Sequence, residues 1–234
     1  MSAPVLVVFH QENSSAGRVG RHLRQLGHEL DCRCPRMGDT LPKTMKEHAG
    51  AVIFGGPMSA NDGDEFIKRE IDWIDVPLRE EKPFLGICLG AQMLAKNLGE
   101  KVQPHDSRAV ECGYYPIYPT ADAVGLSAAC GVDLPEHVYH WHGEGFDVPK
   151  SATLLARGEQ FPNQAFSYGK NAFGLQFHPE VTYAMMCRWA VRGGDRANAP
   201  GAKPLQQHLS DWFMYDGAVA KWSRSFLKHW LKAG

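Results

Sequence analysis

The 234 residues carry 25 Lys and Arg against 26 Asp and Glu, a formal net charge of −1, and 44% of them are hydrophobic. That apolar share suits one globular domain with a well-buried core. The near-neutral balance supports neither a nucleic-acid footprint nor a polybasic membrane contact, so the expected partner is a small molecule or another protein.

The first four residues lead directly into the apolar run 5–9, with no basic leader and too few apolar residues for a signal peptide. No later stretch approaches the roughly 20 apolar residues of a membrane helix. The expected address is therefore cytoplasmic. Six cysteines, at 32, 34, 88, 112, 130 and 187, lack the density of a disulfide framework and are expected to be reduced. Cys32 and Cys34 have no matching Cys/His pair and read as strand positions rather than metal ligands.

In chain order, residues 5–9 form a continuous β-branched apolar run, which predicts a strand buried on both faces. Residues 14–26 place Val19, Leu23 and Leu26 at helical spacing and stop at Gly27. A short strand at 29–33 follows, then a buried strand at 51–54 and a helix at 65–79. A strand at 84–88 then runs into a helix at 91–98. This alternation predicts an α/β fold built on a doubly wound, mainly parallel sheet.

Beyond it, segments 110–118, 137–141, 153–156, 164–168 and 173–177 are strand-like and separated by turns, which predicts an antiparallel extension. A helix at 183–191, a Gly/Asn/Pro-rich connection or lid at 193–204 and two helices through Phe213 and Trp230 complete the reading. One domain, 1–234, thus comprises a core, 4–192, and a helical extension, 193–234. The extension's Trp212, Phe213, Trp222, Phe226 and Trp230 read as core packing in preference to partner docking.

Cys88 stands between a strand and a helix and is flanked by Gly86 and Gly90. Small neighbours permit the sharp turn of a nucleophile elbow, at the strand end where open parallel sheets bind ligands. A following helix N-terminus favours the thiolate. Taken alone, the residue would be a buried small hydrophobe. His178-Pro179-Glu180 changes that reading, because residues two apart in extended chain face one side, so Glu180 can orient His178 while His178 addresses Cys88. Gly55-Gly56-Pro57-Met58-Ser59, at the same expected sheet edge, can turn backbone N–H groups towards a developing oxyanion. Nucleophile, base and orienting carboxylate together point to acyl transfer, with amide hydrolysis as the expected reaction.

His137, His140 and His142 raise a metal hypothesis, since imidazoles one residue apart in a strand point the same way. No carboxylate or cysteine pattern near them in sequence completes a site, so no metal is expected there. Asp106, Arg108 and Glu111 read as a solvated or pocket-rim set.

The order Gly-Gly-Pro, then Gly-Ile-Cys-Leu-Gly-Ala-Gln at 86–92, then His-Pro-Glu resembles the class I (triad) glutamine amidotransferases from about Val5 to Val181. Gly55 to Ser59, Gln164-Ala165-Phe166 and Gln176 to Glu180 are most similar to stand-alone relatives of the glutaminase domain of GMP synthetase. The resemblance implies a flavodoxin-like doubly wound sheet with an antiparallel annex. It makes Cys88 the nucleophile that forms a γ-glutamyl thioester, His178 the acid/base and Glu180 its orienter, and assigns the oxyanion-hole N–H groups to Gly56 and Leu89. Gln92 would contact bound glutamine, and the backbone around Gly143 and Glu144 would hold its amino-acid end. No cofactor is implied.

GMP-forming members carry an ATP pyrophosphatase domain with a Ser-Gly-Gly-x-Asp-like loop, which this chain lacks, so a separate synthase is the expected ammonia acceptor. Two further functions share these residues. One is a γ-glutamyl peptidase or hydrolase needing no partner, and the other is a catalytically silent regulatory or binding module on the same fold.

Overall fold

The computed structural model describes residues 2–232; the last two residues of the extension expected at 193–234 lie outside them. The chain opens with β1 (Val5–Val8), α1 (Gly17–Gln25), β2 (Leu30–Arg33) and β3 (Gly50–Ile53). Strands β1 and β3 are fully buried, as their unbroken apolar runs require for a sheet covered on both faces. The helical run expected at 65–79 is two helices, α2 (Glu65–Trp73) and α3 (Asp75–Arg79). Pro77 explains the break: its ring would meet the carbonyl of Trp73 in a continuous helix.

β4 (Phe84–Ile87) leads into α4 (Leu89–Asn97), and β5 (Val102–Pro104) follows. The strand expected at 110–118 splits into β6 (Glu111–Pro116) and β7 (Tyr118–Pro119), which belong to different sheets. Next come α5 (Ala123–Cys130), β8 (His137–His142), β9 (Glu144–Phe146), β10 (Ala152–Arg157), β11 (Ala165–Tyr168), β12 (Ala172–Leu175) and α6 (Tyr183–Arg192). The connection expected at 193–204 contains a short 3-10 helix, Gly194–Asn198.

The two expected C-terminal helices are one, α7 (Leu205–Trp230). Its buried Val219, Trp222, Ser223, Phe226, Leu227 and Trp230 recur at the three- and four-residue spacing of a core-facing stripe. Trp222, Phe226 and Trp230 are at most 1% exposed, whereas Phe213 is 79% exposed. The core-packing expectation therefore holds for three of those aromatics and fails for Phe213.

Eight strands form the main sheet in the order β2-β1-β3-β4-β12-β11-β10-β7. The first five run parallel, and β12-β11-β10-β7 continue antiparallel. The expected doubly wound sheet with an antiparallel extension is the fold observed. β6 and β8 pair as a separate antiparallel ribbon, as do β5 and β9. Ile53 aligns with Gly86, and Ile87 with Leu175, so the chain leaving β3, β4 and β12 emerges side by side at the carboxyl edge. That register brings Gly55-Gly56, Cys88 and His178 together.

Candidate active site

Cys88 is the one-residue joint between β4 and α4. Its φ of 51° and ψ of −104° lie outside the regions an L-residue prefers, a conformation that costs on the order of 1–3 kcal/mol and persists only where neighbours enforce it. The enforcement is visible in the flanking glycines. A Cβ on Gly86 would lie 2.4 Å from the Gly90 carbonyl oxygen, and one on Gly90 would lie 2.1 Å from that of Ile53. The joint closes this tightly because neither position has a side chain. Leu89 is the first residue of α4, where a helical N–H has no intrahelical acceptor.

His178 leaves β12 and donates its backbone N–H to the Tyr139 carbonyl at 2.8 Å. Its ring lies edge-on to Trp189, with centroids 4.9 Å apart. His178 Nδ1 and Glu180 Oε1 are 2.7 Å apart, and both residues are buried. This fixes the ring so that Nε2 is its free nitrogen. Nε2 is buried and has no hydrogen-bond partner among the described residues, which leaves it for the thiol or the substrate. Catalytic hydrogen bonds commonly tighten only when substrate binds. Burial alone would lower the His178 pKa; the Glu180 carboxylate and Cys88 outweigh it and raise the pKa from 6.5 to about 10.

Gly55 and Gly56 form the loop facing these residues. A Cβ on Gly55 would lie 2.9 Å from the His178 ring and 3.4 Å from Cys88 Cβ, and one on Gly56 would meet His10 at 2.9 Å. His10, which reads in the sequence as part of a polar strand boundary, is fully buried beneath this loop. Its Nδ1 lies 3.2 Å from the Gly55 carbonyl oxygen and its Nε2 2.8 Å from the buried Glu70 carboxylate on α2. A carbonyl only accepts, so Nδ1 carries a proton and ties the loop to α2.

Arg18 on α1 is a second residue without a functional signal in the sequence. Its backbone N–H donates to the Glu180 carbonyl at 2.8 Å and its guanidinium to that of Pro179 at 3.3 Å. Asp216 on α7 holds the same guanidinium through both carboxylate oxygens, at 2.6 and 2.5 Å, and accepts from Tyr114 at 3.1 Å. The His-Pro-Glu turn is thereby clamped from two helices.

Gln92, Gly143 and Glu144 also come together. Gln92 is 3% exposed, and its side-chain amide donates to the Glu144 carbonyl at 2.9 Å and to Gln176 at 3.3 Å. These bonds make it a support for the 142–144 backbone. A cavity of about 840 Å³ opens over Cys88, His178, Glu180, Gly55 and Gly56. Arg36, Arg188, Arg192 and Arg196 also line it, with Trp141, Trp189 and Glu12.

The histidine run divides. His137 is on the opposite side of β8 from His140 and His142 and stacks on Tyr215, with centroids 4.1 Å apart. His140 and His142 are buried, and burial pushes the His140 pKa down to about 3. Glu111, expected at a solvated rim, is instead 2% exposed and lies 3.0 Å from His142. The reason is register: Glu111 pairs directly with His142 across the β6–β8 ribbon, a proximity that spacing along the chain does not reveal.

Residues 11–186 match the family model for glutamine amidotransferase class-I. The glutamine amidotransferase-like protein YfeJ of Salmonella typhimurium is 31% identical over 180 residues, 75% of this chain and 74% of that one. A glutamine-hydrolysing GMP synthase of Porphyromonas gingivalis is 32% identical over 182 residues, 76% of this chain but only 33% of the synthase. Gamma-glutamyl peptidase 5 of Arabidopsis thaliana is 32% identical over 141 residues, 59% of this chain and 56% of the peptidase. A glutamine amidotransferase from Thermotoga maritima superposes with a TM-score of 0.85 at 31% identity, covering 98% of both chains. No helix among the described residues is long and apolar enough to cross a membrane. By family model, relatives and fold together, the chain belongs to the class I glutamine amidotransferases.

Proposed function

We propose that this chain hydrolyses the γ-amide of glutamine through a thioester on Cys88 and releases ammonia to a separate synthase. The observation that carries the reading is the convergence of a strained, glycine-flanked Cys88 with a buried His178–Glu180 pair in the floor of one cavity. In this reading the Cys88 thiolate attacks the γ-carbonyl. The N–H groups of Gly56 and Leu89 receive the oxyanion, and His178, held by Glu180, gives its proton to the departing ammonia. Water then attacks the γ-glutamyl thioester with His178 as base, releasing glutamate. Gln92 holds the Gly143–Glu144 backbone where the amino-acid end of the substrate binds. The match to one third of a glutamine-hydrolysing GMP synthase supports ammonia delivery to a synthase.

Glutamate release from glutamine by purified protein tests the proposal, with Cys88→Ser as the decisive variant. The expected outcome is loss of turnover and of alkylation by a glutamine-like electrophile; a variant that turns over glutamine at the parent rate refutes it.

The cavity itself favours a second reading. At about 840 Å³ it has room for more than a single amino acid, and four arginines line it. A γ-glutamyl compound with an anionic leaving group suits those cations, and its hydrolysis would need no partner. Parallel assays on glutamine and γ-glutamyl dipeptides decide between the readings, and a strong dipeptide preference eliminates the ammonia donor.

A further inference from the structure

We infer that Glu111, His140 and His142 form a buried site for one divalent transition-metal ion of the zinc class, separate from the Cys88 thiol. Glu111 and His142 are cross-strand partners in the β6–β8 ribbon, and His140 pairs with Gly113, so all three side chains lie on one face. The ligand atoms are already spaced as a metal site requires. His142 Nε2 is 3.0 Å from Glu111 Oε2 and 3.1 Å from His140 Nδ1, and His140 Nδ1 is 3.5 Å from Glu111 Oε2. Tetrahedral bonds of about 2.0–2.1 Å place neighbouring ligand atoms roughly 3.3–3.4 Å apart, so an ion needs little rearrangement. This is the single group of three or more potential metal ligands so arranged among the described residues.

The hydrogen bonds around the cluster leave a cation a place between these atoms. His142 Nδ1 lies 3.0 Å from the Glu144 carbonyl oxygen, which only accepts, so Nδ1 donates there and Nε2 is the nitrogen left to offer a lone pair. That lone pair faces a carboxylate oxygen, and both groups are at most 2% exposed. Two buried acceptors at 3.0 Å repel unless a proton or a metal ion lies among them, and the nearest protein donor is His140 Nδ1, 3.1 Å from His142 Nε2. An Nδ1–H donated to a backbone carbonyl is also the usual orienting bond of a metal-bound imidazole, and the amide of Gln164 donates to Glu111 Oε2 at 2.9 Å as an outer partner. Two imidazoles and one carboxylate, with a fourth position for water, suit zinc better than magnesium or calcium, which prefer oxygen ligands. The competing resolution is a proton, with His140 Nδ1–H donating to His142 Nε2 at 3.1 Å.

Metal analysis of the whole chain, purified without chelators, then stripped with EDTA and re-titrated with Zn²⁺, separates the two resolutions. The expected result is about one ion per chain and a melting temperature raised by several degrees on Zn²⁺ addition, as for any ligand that binds only the native state. Glu111→Gln and His140→Ala should lose both, whereas Cys88→Ser should retain them, which excludes binding at the thiol. Should those variants not fold, Co²⁺ titration of the parent protein reads the same site by the visible bands of a tetrahedral ion. Fewer than half an ion per chain after re-titration, no Co²⁺ bands, or metal lost in Cys88→Ser overturns the inference.

Discussion

Replacing Glu180 by Gln keeps the shape of the side chain and an oxygen able to accept from His178 Nδ1, but removes the charge. That charge is the largest influence raising the His178 pKa, against the burial that lowers it. The interval between 6.5 and about 10 corresponds to roughly 4–5 kcal/mol in favour of the imidazolium, at about 1.4 kcal/mol per pH unit. Glu180 shares it with Cys88. Because the folded pKa is raised, the stabilisation is fully present below pH 6.5 and is lost as pH rises through about 10. Glu180→Gln should therefore destabilise the protein most at pH 6, with the deficit narrowing towards pH 10. The alkaline limb of kcat/KM, set by loss of the proton that His178 gives the leaving group, should move down by at least about one pH unit. Turnover at pH 7 should fall by about 10⁴-fold, the loss seen when a triad carboxylate is neutralised. Steady-state kinetics from pH 5 to 10.5 with thermal unfolding at matched pH measure both effects. An unchanged alkaline limb in an active Glu180→Gln protein would refute the assignment of Glu180 as orienter of His178.

Gly56→Ala should place a methyl group within 2.9 Å of His10 and shift the loop's N–H, lowering kcat on glutamine by about 10²–10³-fold with a smaller change in KM; an unaltered kcat would remove Gly56 from the oxyanion hole. Asp216→Asn leaves the Arg18 guanidinium buried without its carboxylate, and urea unfolding should show a loss of about 3–5 kcal/mol. A loss under 1 kcal/mol would mean that Arg18 finds solvent or another partner.

The parallel half of the sheet was legible because doubly covered strands are written as continuous apolar runs, as in Val5–Val8 and Phe84–Ile87, with helical spacing between them. Helix α5 escaped notice because Ala123–Cys130 buries only Ala123 and so shows no apolar stripe. Helix α7 read as two because the polar Asp216 and Gly217 interrupt its pattern; Asp216 is buried, but against Arg18 rather than among apolar groups. Cys88, His178 and Glu180 could be singled out because elbow and turn are local motifs. The parts played by His10, Glu70 and Glu111 were not legible, since their partners lie 60, 60 and 31 residues away and are brought close by helix packing on the sheet for the first two and by strand register for Glu111.

These long-range partners change where the support of the site is to be sought. The turn carrying His178 and Glu180 is not positioned by β12 alone: its Pro179 and Glu180 carbonyls are held by Arg18, and Arg18 is held by Asp216. Asp216 lies in α7, beyond residues 11–186 that match the family model. Helix α7 thus contributes to the geometry of a turn whose chemistry is specified elsewhere, through an ion pair whose members are each at most 9% exposed. Breaking a buried pair strands a charge and costs far more than losing a surface contact. Loosening α7 should therefore misplace the imidazole, and substitutions in this helix should lower turnover without touching substrate.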